Sequence, residues 1–333
     1  MKTLITAARL LLLTLPSLPV IPRCVPVALA VPGPTSSEPG NWQQDPPKGE
    51  SVVKSEVEIY RRARTVIDLT GEELLQTYPD EVRGLEFAGD QQELNSLLQK
   101  VGENVAKLFR DLPNTISKEQ VRRERLGSDG RAEESITENF NYTACLNSIS
   151  GWEEARTDSR GREIPPELMS DLSFLTTGFA SVSLYFHPKH QFGGRFRYLG
   201  RQSDEPYHHV IAFAQKPGVT DLVGSFSSYL QPAPALLLYQ GFAWIDPGSY
   251  QIVRLRQELL APRMDAHLAT ATSDILYGEV HFESVATPFW LPREVIVNLR
   301  FSGQQYRNRH RYSDYQLFTV AVEQKVAPPV VKK

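Results

Sequence analysis

Two cysteines in 333 residues leave almost no material for cross-links. A disulfide-stapled scaffold is excluded, and so is a fold clamped by a thiolate metal centre, because no Cys-x-x-Cys spacing occurs. Nothing here needs such a clamp. At this length, with 41% apolar residues, the chain can bury a sizeable core unaided. Long hydrophobic runs are missing too. The N-terminal apolar run, Leu10–Leu15, is followed by Pro16, Pro19 and Pro22, and so falls far short of the ~20 residues a spanning helix requires. Charge of one sign is not in excess: 36 basic against 39 acidic residues give a net charge of −3, which disfavours nucleic acid as a partner. Also absent are a His-Glu-x-x-His zinc helix, a Gly-x-Ser-x-Gly elbow, a phosphate-binding P-loop and a dinucleotide fingerprint. The chain is therefore expected to be no enzyme, and no cofactor or metal is expected.

What is present begins with an export signal. Lys2 and Arg9 precede the short apolar run, and Ala28-Leu29-Ala30 fits the small-x-small rule for cleavage. Cleavage near Ala30 removes Lys2, Arg9 and Arg23 and no acid, taking the net charge from −3 to −6. A periplasmic or secreted protein results, not an integral membrane one. Cleavage also removes Cys24. Ile21-Pro22-Arg23 sets a bulky cation where a lipid-attachment motif has small residues, which argues against lipidation there. Cys145 then stands alone, and with no neighbouring histidine to activate it reads as a buried structural thiol.

Residues 31–50, rich in Pro, Gly and Ser, read as a disordered leader, and 323–333 as a flexible tail. Between them the spacing predicts a single domain over 51–322, with a helical section at 65–125 and an antiparallel sheet at 136–322. Thr70 with Glu73 forms a capping-box pattern, and Asp90 with Glu93 a second that opens a helix over Asp90–Leu112. Leu94, Leu97, Leu98, Val101, Val105, Leu108, Phe109 and Leu112 make its apolar stripe. Ser117 with Gln120 predicts a third helix, and a short one is expected at 167–172. From residue 136 the period becomes 2. Strands are expected at 140–144, 152–157, 182–186, 195–199, 207–215, 235–245, 251–260, 274–284, 294–301 and 312–322. Asp246-Pro247-Gly248 reads as a hairpin turn, Gly193-Gly194 as a bulge or turn. Short connections imply an antiparallel meander. The expected class is α+β: a large curved antiparallel sheet, an open half-barrel, covered on its concave face by amphipathic helices.

All seven histidines fall between His187 and His310. His208 and His209, adjacent on a strand, point to opposite faces and cannot share an ion. They read as polar rim residues. A triad scattered in the sequence, using Ser225 or these histidines, is the weakest reading. Arg307, Arg309 and Arg311 alternate along one strand, with tyrosines interleaved. They form either a solvated outer face that blunts edge pairing or an interaction surface for an anionic or envelope partner. Phe242 and Trp244 share a strand face, and Phe282 and Trp290 come from nearby strands. These four are the candidate lining of an apolar ligand site beneath the helix.

The segments Gln240-Gly241-Phe242-Ala243-Trp244-Ile245-Asp246-Pro247, Ile252-Val253-Arg254-Leu255 and Phe289-Trp290-Leu291-Pro292-Arg293 resemble LolA-type outer-membrane lipoprotein carriers over roughly 235–322. The whole chain also resembles a family of uncharacterised secreted bacterial proteins. The first resemblance implies an unclosed barrel plugged by helices that takes up acyl chains, with Phe242 and Trp244 at the ligand. It implies a lipid or lipoprotein as partner. The chain departs from those carriers in its greater length and its added N-terminal elements. An envelope interaction protein with a filled core remains the alternative.

Overall fold

The computed structural model describes residues 10–14, 58–112, 114–147, 151–158, 174–176, 179, 181–219, 222, 224–228, 235–283 and 285–317. In chain order the strands are β1 (Leu10–Thr14), β2 (Leu85–Phe87), β3 (Thr115–Leu126), β4 (Ala132–Asn147), β5 (Gly151–Thr157), β6 (Phe174–Thr176), β7 (Gly194–Gln202) and β8 (His209–Gln215). They continue with β9 (Gly224–Ser228), β10 (Ala235–Leu237), β11 (Tyr239–Ile245), β12 (Ile252–Leu259), β13 (Leu268–Phe282), β14 (Val285–Phe301) and β15 (Gln304–Leu317). Two α-helices are described from end to end, α1 (Gly71–Thr77) and α2 (Leu94–Asp111), and residues 58–61 are helical as well.

Eleven strands form one open sheet in the order β2-β7-β8-β11-β12-β13-β14-β15-β3-β4-β5, every pair antiparallel. The meander from β11 to β15 follows from short turns. At one of them Asp246 Oδ1 accepts from the backbone N–H of Gly248 (3.1 Å) and of Ser249 (2.6 Å), fixing the predicted hairpin turn. A second, four-stranded sheet has the order β10-β9-β1-β6. The apolar run read as the heart of an export signal is its strand β1.

The expectation of an α+β half-barrel covered by helices is overturned. Strand dominates, and α2 is the one described helix longer than α1's seven residues. Leu97, Val101 and Val105 of α2 do reach the core, but they join a cluster made mostly by the sheet itself, including Ile211, Phe213, Ala243, Ile245, Leu255, Ile275, Val295 and Val297. An 18-residue helix is about 27 Å long and cannot roof eleven strands spaced roughly 4.8 Å apart.

Local departures have physical causes. The helix expected from Ser117 is strand β3, whose burial alternates with period 2 between β15 and β4. Tertiary pairing overrides the local capping pattern there. Ser181–Phe186, read as a strand from its alternation, is a 3-10 helix that packs Phe186 beneath α2. That packing is close: a Cβ on Gly102 of α2 would lie 3.0 Å from the Phe186 carbonyl oxygen. The Asp90–Glu93 box does not form; Asp90 caps Gln92 instead (3.0 Å) and α2 starts at Leu94. The Thr70–Glu73 box is present in both directions, at 3.2 and 2.7 Å. Gly193 and Gly194 carry the chain from a 3-10 turn into β7, and the strand expected over 235–245 is split between the two sheets. The cleavage point near Ala30, Cys24, the leader at 31–50, the helix at 167–172 and the tail lie outside the described residues.

Candidate functional site

Around β11 the sheet is apolar on both faces. Ala243 and Ile245 point toward α2, whereas Phe242 and Trp244 point the other way, into a cluster with Val66, Leu74, Val82, Leu199, Val210 and Ala212. That outer cluster is sealed by α1 and the turn before it. Val66 N–H donates to Gln240 Oε1 (2.8 Å), Arg195 pairs with Asp68 (2.5 Å), and Arg256 with Glu81 (2.9 Å). Phe242 and Trp244 do share a face, but they are 0% and 3% exposed inside a filled core and not beneath α2. Arg254 stacks on Trp244 at 4.2 Å.

Trp290 and Phe282 lie elsewhere. Trp290 lines a pocket of about 150 Å³ between the C-terminal half of α2 and the start of β14. Leu108, Val285, Pro288 and Phe289 supply its apolar wall, and Asn104, Lys107 and Asp111 its polar rim. Phe282 stands behind Phe289, ring centroids 5.9 Å apart, in a cluster with Leu112 and Leu291. Two bonds hold α2 in register over this end of the sheet. Asn104 Nδ2 donates to the Ser249 carbonyl (2.7 Å) and Lys100 Nζ to the Tyr250 hydroxyl (3.0 Å). The structure thus brings Trp290 and Phe282 to one end of the sheet and sets Phe242 and Trp244 apart from them. Leu108 and Pro288 were not picked out as lining. The α2 stripe carried the signal for Leu108, but only the β14 register shows that Pro288 faces it.

Arg307, Arg309 and Arg311 share the outer face of β15, on which no helix packs among the described residues. They are partly neutralised. Arg307 donates to Glu124 (2.5 Å), a carboxylate that Arg122 also contacts (2.9 Å), and Arg311 lies 3.7 Å from Glu294.

On the inner face of the same strands sits a buried polar cluster that the sequence reading missed. Glu119 of β3 has no exposed side-chain surface. It accepts two bonds from Arg156, through Nη2 at 2.6 Å and through Nε, and a further bond from the Tyr312 hydroxyl (2.8 Å). His310 Nδ1 lies 2.9 Å away; facing a carboxylate already bound by Arg156, that nitrogen is the donor. Burial alone would push the Glu119 carboxyl up. The Arg156 guanidinium and the His310 hydrogen bond outweigh it and hold the group at about 2. Burial lowers the His310 imidazole below its usual value, so the ring is neutral. Arg123, also fully buried, pairs with Glu138. His310 is therefore core, not rim. His208 bonds Gln202 (3.1 Å) and His209 bonds Tyr198 (2.9 Å), on diverging paths. Among the described residues no group of three or more His, Cys, Asp or Glu could hold a metal ion, and no helix is long and apolar enough to cross a membrane. Cys145 is buried and in no disulfide.

No protein-family model and no curated protein matches the chain. Among solved structures it is similar to an outer membrane lipoprotein-sorting protein domain from Vibrio parahaemolyticus, at 14% identity and a TM-score of 0.39, over 68% of this chain and 94% of that one. The likeness assigns no ligand to this chain.

Proposed function

We propose that the protein is an exported, non-catalytic binding module that shelters an apolar group, such as the end of a lipid or lipoprotein acyl chain, in the pocket between α2 and β14. One observation carries this reading: Trp290, Phe289, Leu108 and Pro288 converge on a space of about 150 Å³ open at a polar rim. Buried apolar spaces of about that size take up small hydrocarbon groups, whereas a complete drug-sized ligand needs about 300 Å³ or more. The pocket suits the tip of a chain, with the head outside near Lys107. Lys107 gives an acidic head group a cation to meet.

The test is uptake of a fluorescent fatty acid by the purified protein, alongside Thr287→Trp. Thr287 is an exposed residue of the pocket wall, so an indole there fills the space without emptying the core. Saturable uptake that the substitution abolishes supports the proposal. Uptake that it leaves unchanged, or none at all, refutes it.

The second reading is an interaction protein of the cell envelope. It is favoured by the outer face carrying Arg307, Arg309 and Arg311, on which no described helix packs and whose docking would weaken with salt.

A further inference from the structure

We infer that the outer face of β13, β14, β15, β3 and β4 carries a separate binding site for a carboxylate-bearing oligosaccharide. A cleft of about 930 Å³ crosses the sheet there and shares no wall residue with the α2 pocket. Its floor is one transverse row. Leu276 pairs with Glu294, Glu294 with Arg311, Arg311 with Gln120, and Gln120 with Asn139. Five strands span roughly 19 Å, long enough for several linked sugar rings. Leu276 is 44% exposed, an apolar step at one end on which a ring face can rest.

The charges choose the ligand. Arg293 juts into the cleft from the bulge in β14, and among the described residues it has no hydrogen-bond or ion-pair partner. Arg311 meets Glu294 only at 3.7 Å and is 65% exposed. Two guanidiniums with unused donors suit carboxylates, which they bind bidentately. Glu294 and Asp314 lie among them and can only accept. They would repel a polyphosphate and would be stripped of water by an acyl chain. Sugar hydroxyls satisfy them, and the amides of Gln120 and Asn139 add donors and acceptors along the row. An acidic oligosaccharide thus offers a partner to every group.

Arg293 is also positioned. A Cβ on Gly278 would lie 1.9 Å from Arg293 Cδ, so the absent side chain of Gly278 is what lets Arg293 lie across β13. Gly278→Ala displaces the guanidinium while keeping its charge.

Calorimetric titration of the full chain with tetragalacturonate, maltotetraose and tetraglutamate tests the site. We expect tetragalacturonate to bind and the other two to bind much more weakly. Arg293→Ala, Arg311→Ala and Gly278→Ala should each weaken binding about tenfold or more, as loss of a charged hydrogen bond does. Arg300→Ala, an exposed arginine of β14 outside the cleft, should leave it unchanged. Equal binding of tetraglutamate overturns the assignment in favour of an acidic peptide, and equal binding of maltotetraose removes the role of the arginines. No binding of tetragalacturonate, or an Arg300→Ala loss equal to that of Arg311→Ala, overturns the site.

Discussion

The two ends of the large sheet are held by opposite means. At β7, β8 and β11 both faces are apolar and covered: every residue of β11 is buried, between the α2 side and the α1 side. At β15, β3, β4 and β5 the inner face is packed with paired charges around Glu119, and among the described residues no helix covers the outer face. The first end is stabilised by area removed from water, a term that is non-directional and insensitive to pH. The second depends on charged groups that cost several kcal/mol each to bury and are viable only while every partner is in place. One sheet thus combines a durable end with an end whose stability is conditional, and both candidate binding regions lie between or upon the less covered strands.

The largest effect should come from breaking the conditional end. Glu119→Ala leaves Arg156 buried without its carboxylate and takes the acceptor from Tyr312 and His310. We expect a loss of about 3–5 kcal/mol in chemical denaturation. At the apolar end, Leu74→Ala empties the fully buried position of α1 and should cost about 2–4 kcal/mol. Both are large, but only the Glu119 variant should diminish the lower, carboxylate step of the acid dependence described next.

That dependence sharpens the contrast. The folded Glu119 carboxyl titrates at about 2, below its ordinary 4.5. Its contribution is therefore fully present above pH 4.5 and lost as the pH falls toward 2. His310 is also lowered, from 6.5, and must take up a proton to unfold fully charged. Its contribution is present above pH 6.5 and declines below it. Thermal denaturation should thus show stability falling in two steps on acidification. His187, His208 and His209 are lowered by burial in the same direction, so His310→Gln should shrink the upper step and leave the lower unchanged. A wild-type profile flat between pH 7 and 3 would contradict the role given to both groups. The smallest effect is at the cap. Thr70→Ala removes the acceptor for the Glu73 N–H and should cost about 1 kcal/mol, measurable in the same denaturation series.

The sequence was most legible where chemistry is local. The Thr70–Glu73 box, the stripe from Leu97 to Leu112 and the Asp246 turn all form as their residues dictate. Strand β3 was read as helix because its inward positions are Ser117, Glu119, Val121 and Arg123. Charges on a buried face erase the apolar alternation by which a half-buried strand is recognised, and their partners Arg156 and His310 lie 37 and 191 residues away. Ser181–Phe186 failed in the opposite sense, an alternating run too short to distinguish a strand from a tight helical turn. At the candidate site, the pleat made it plain that Phe242 and Trp244 share a face. Which face α2 would cover was set by the sheet order, to which no local pattern points. Trp290 stands at the pocket because α2 is tied to the turn after β11 by Asn104 and Lys100, a tertiary fact.

The most direct test of the binding role is titration of the intact protein with a fluorescent fatty acid, comparing wild type with Thr287→Trp at matched stability. We predict saturable binding by the wild type and none by the variant. Equal binding by both, or no binding by either, would contradict an apolar site between α2 and β14.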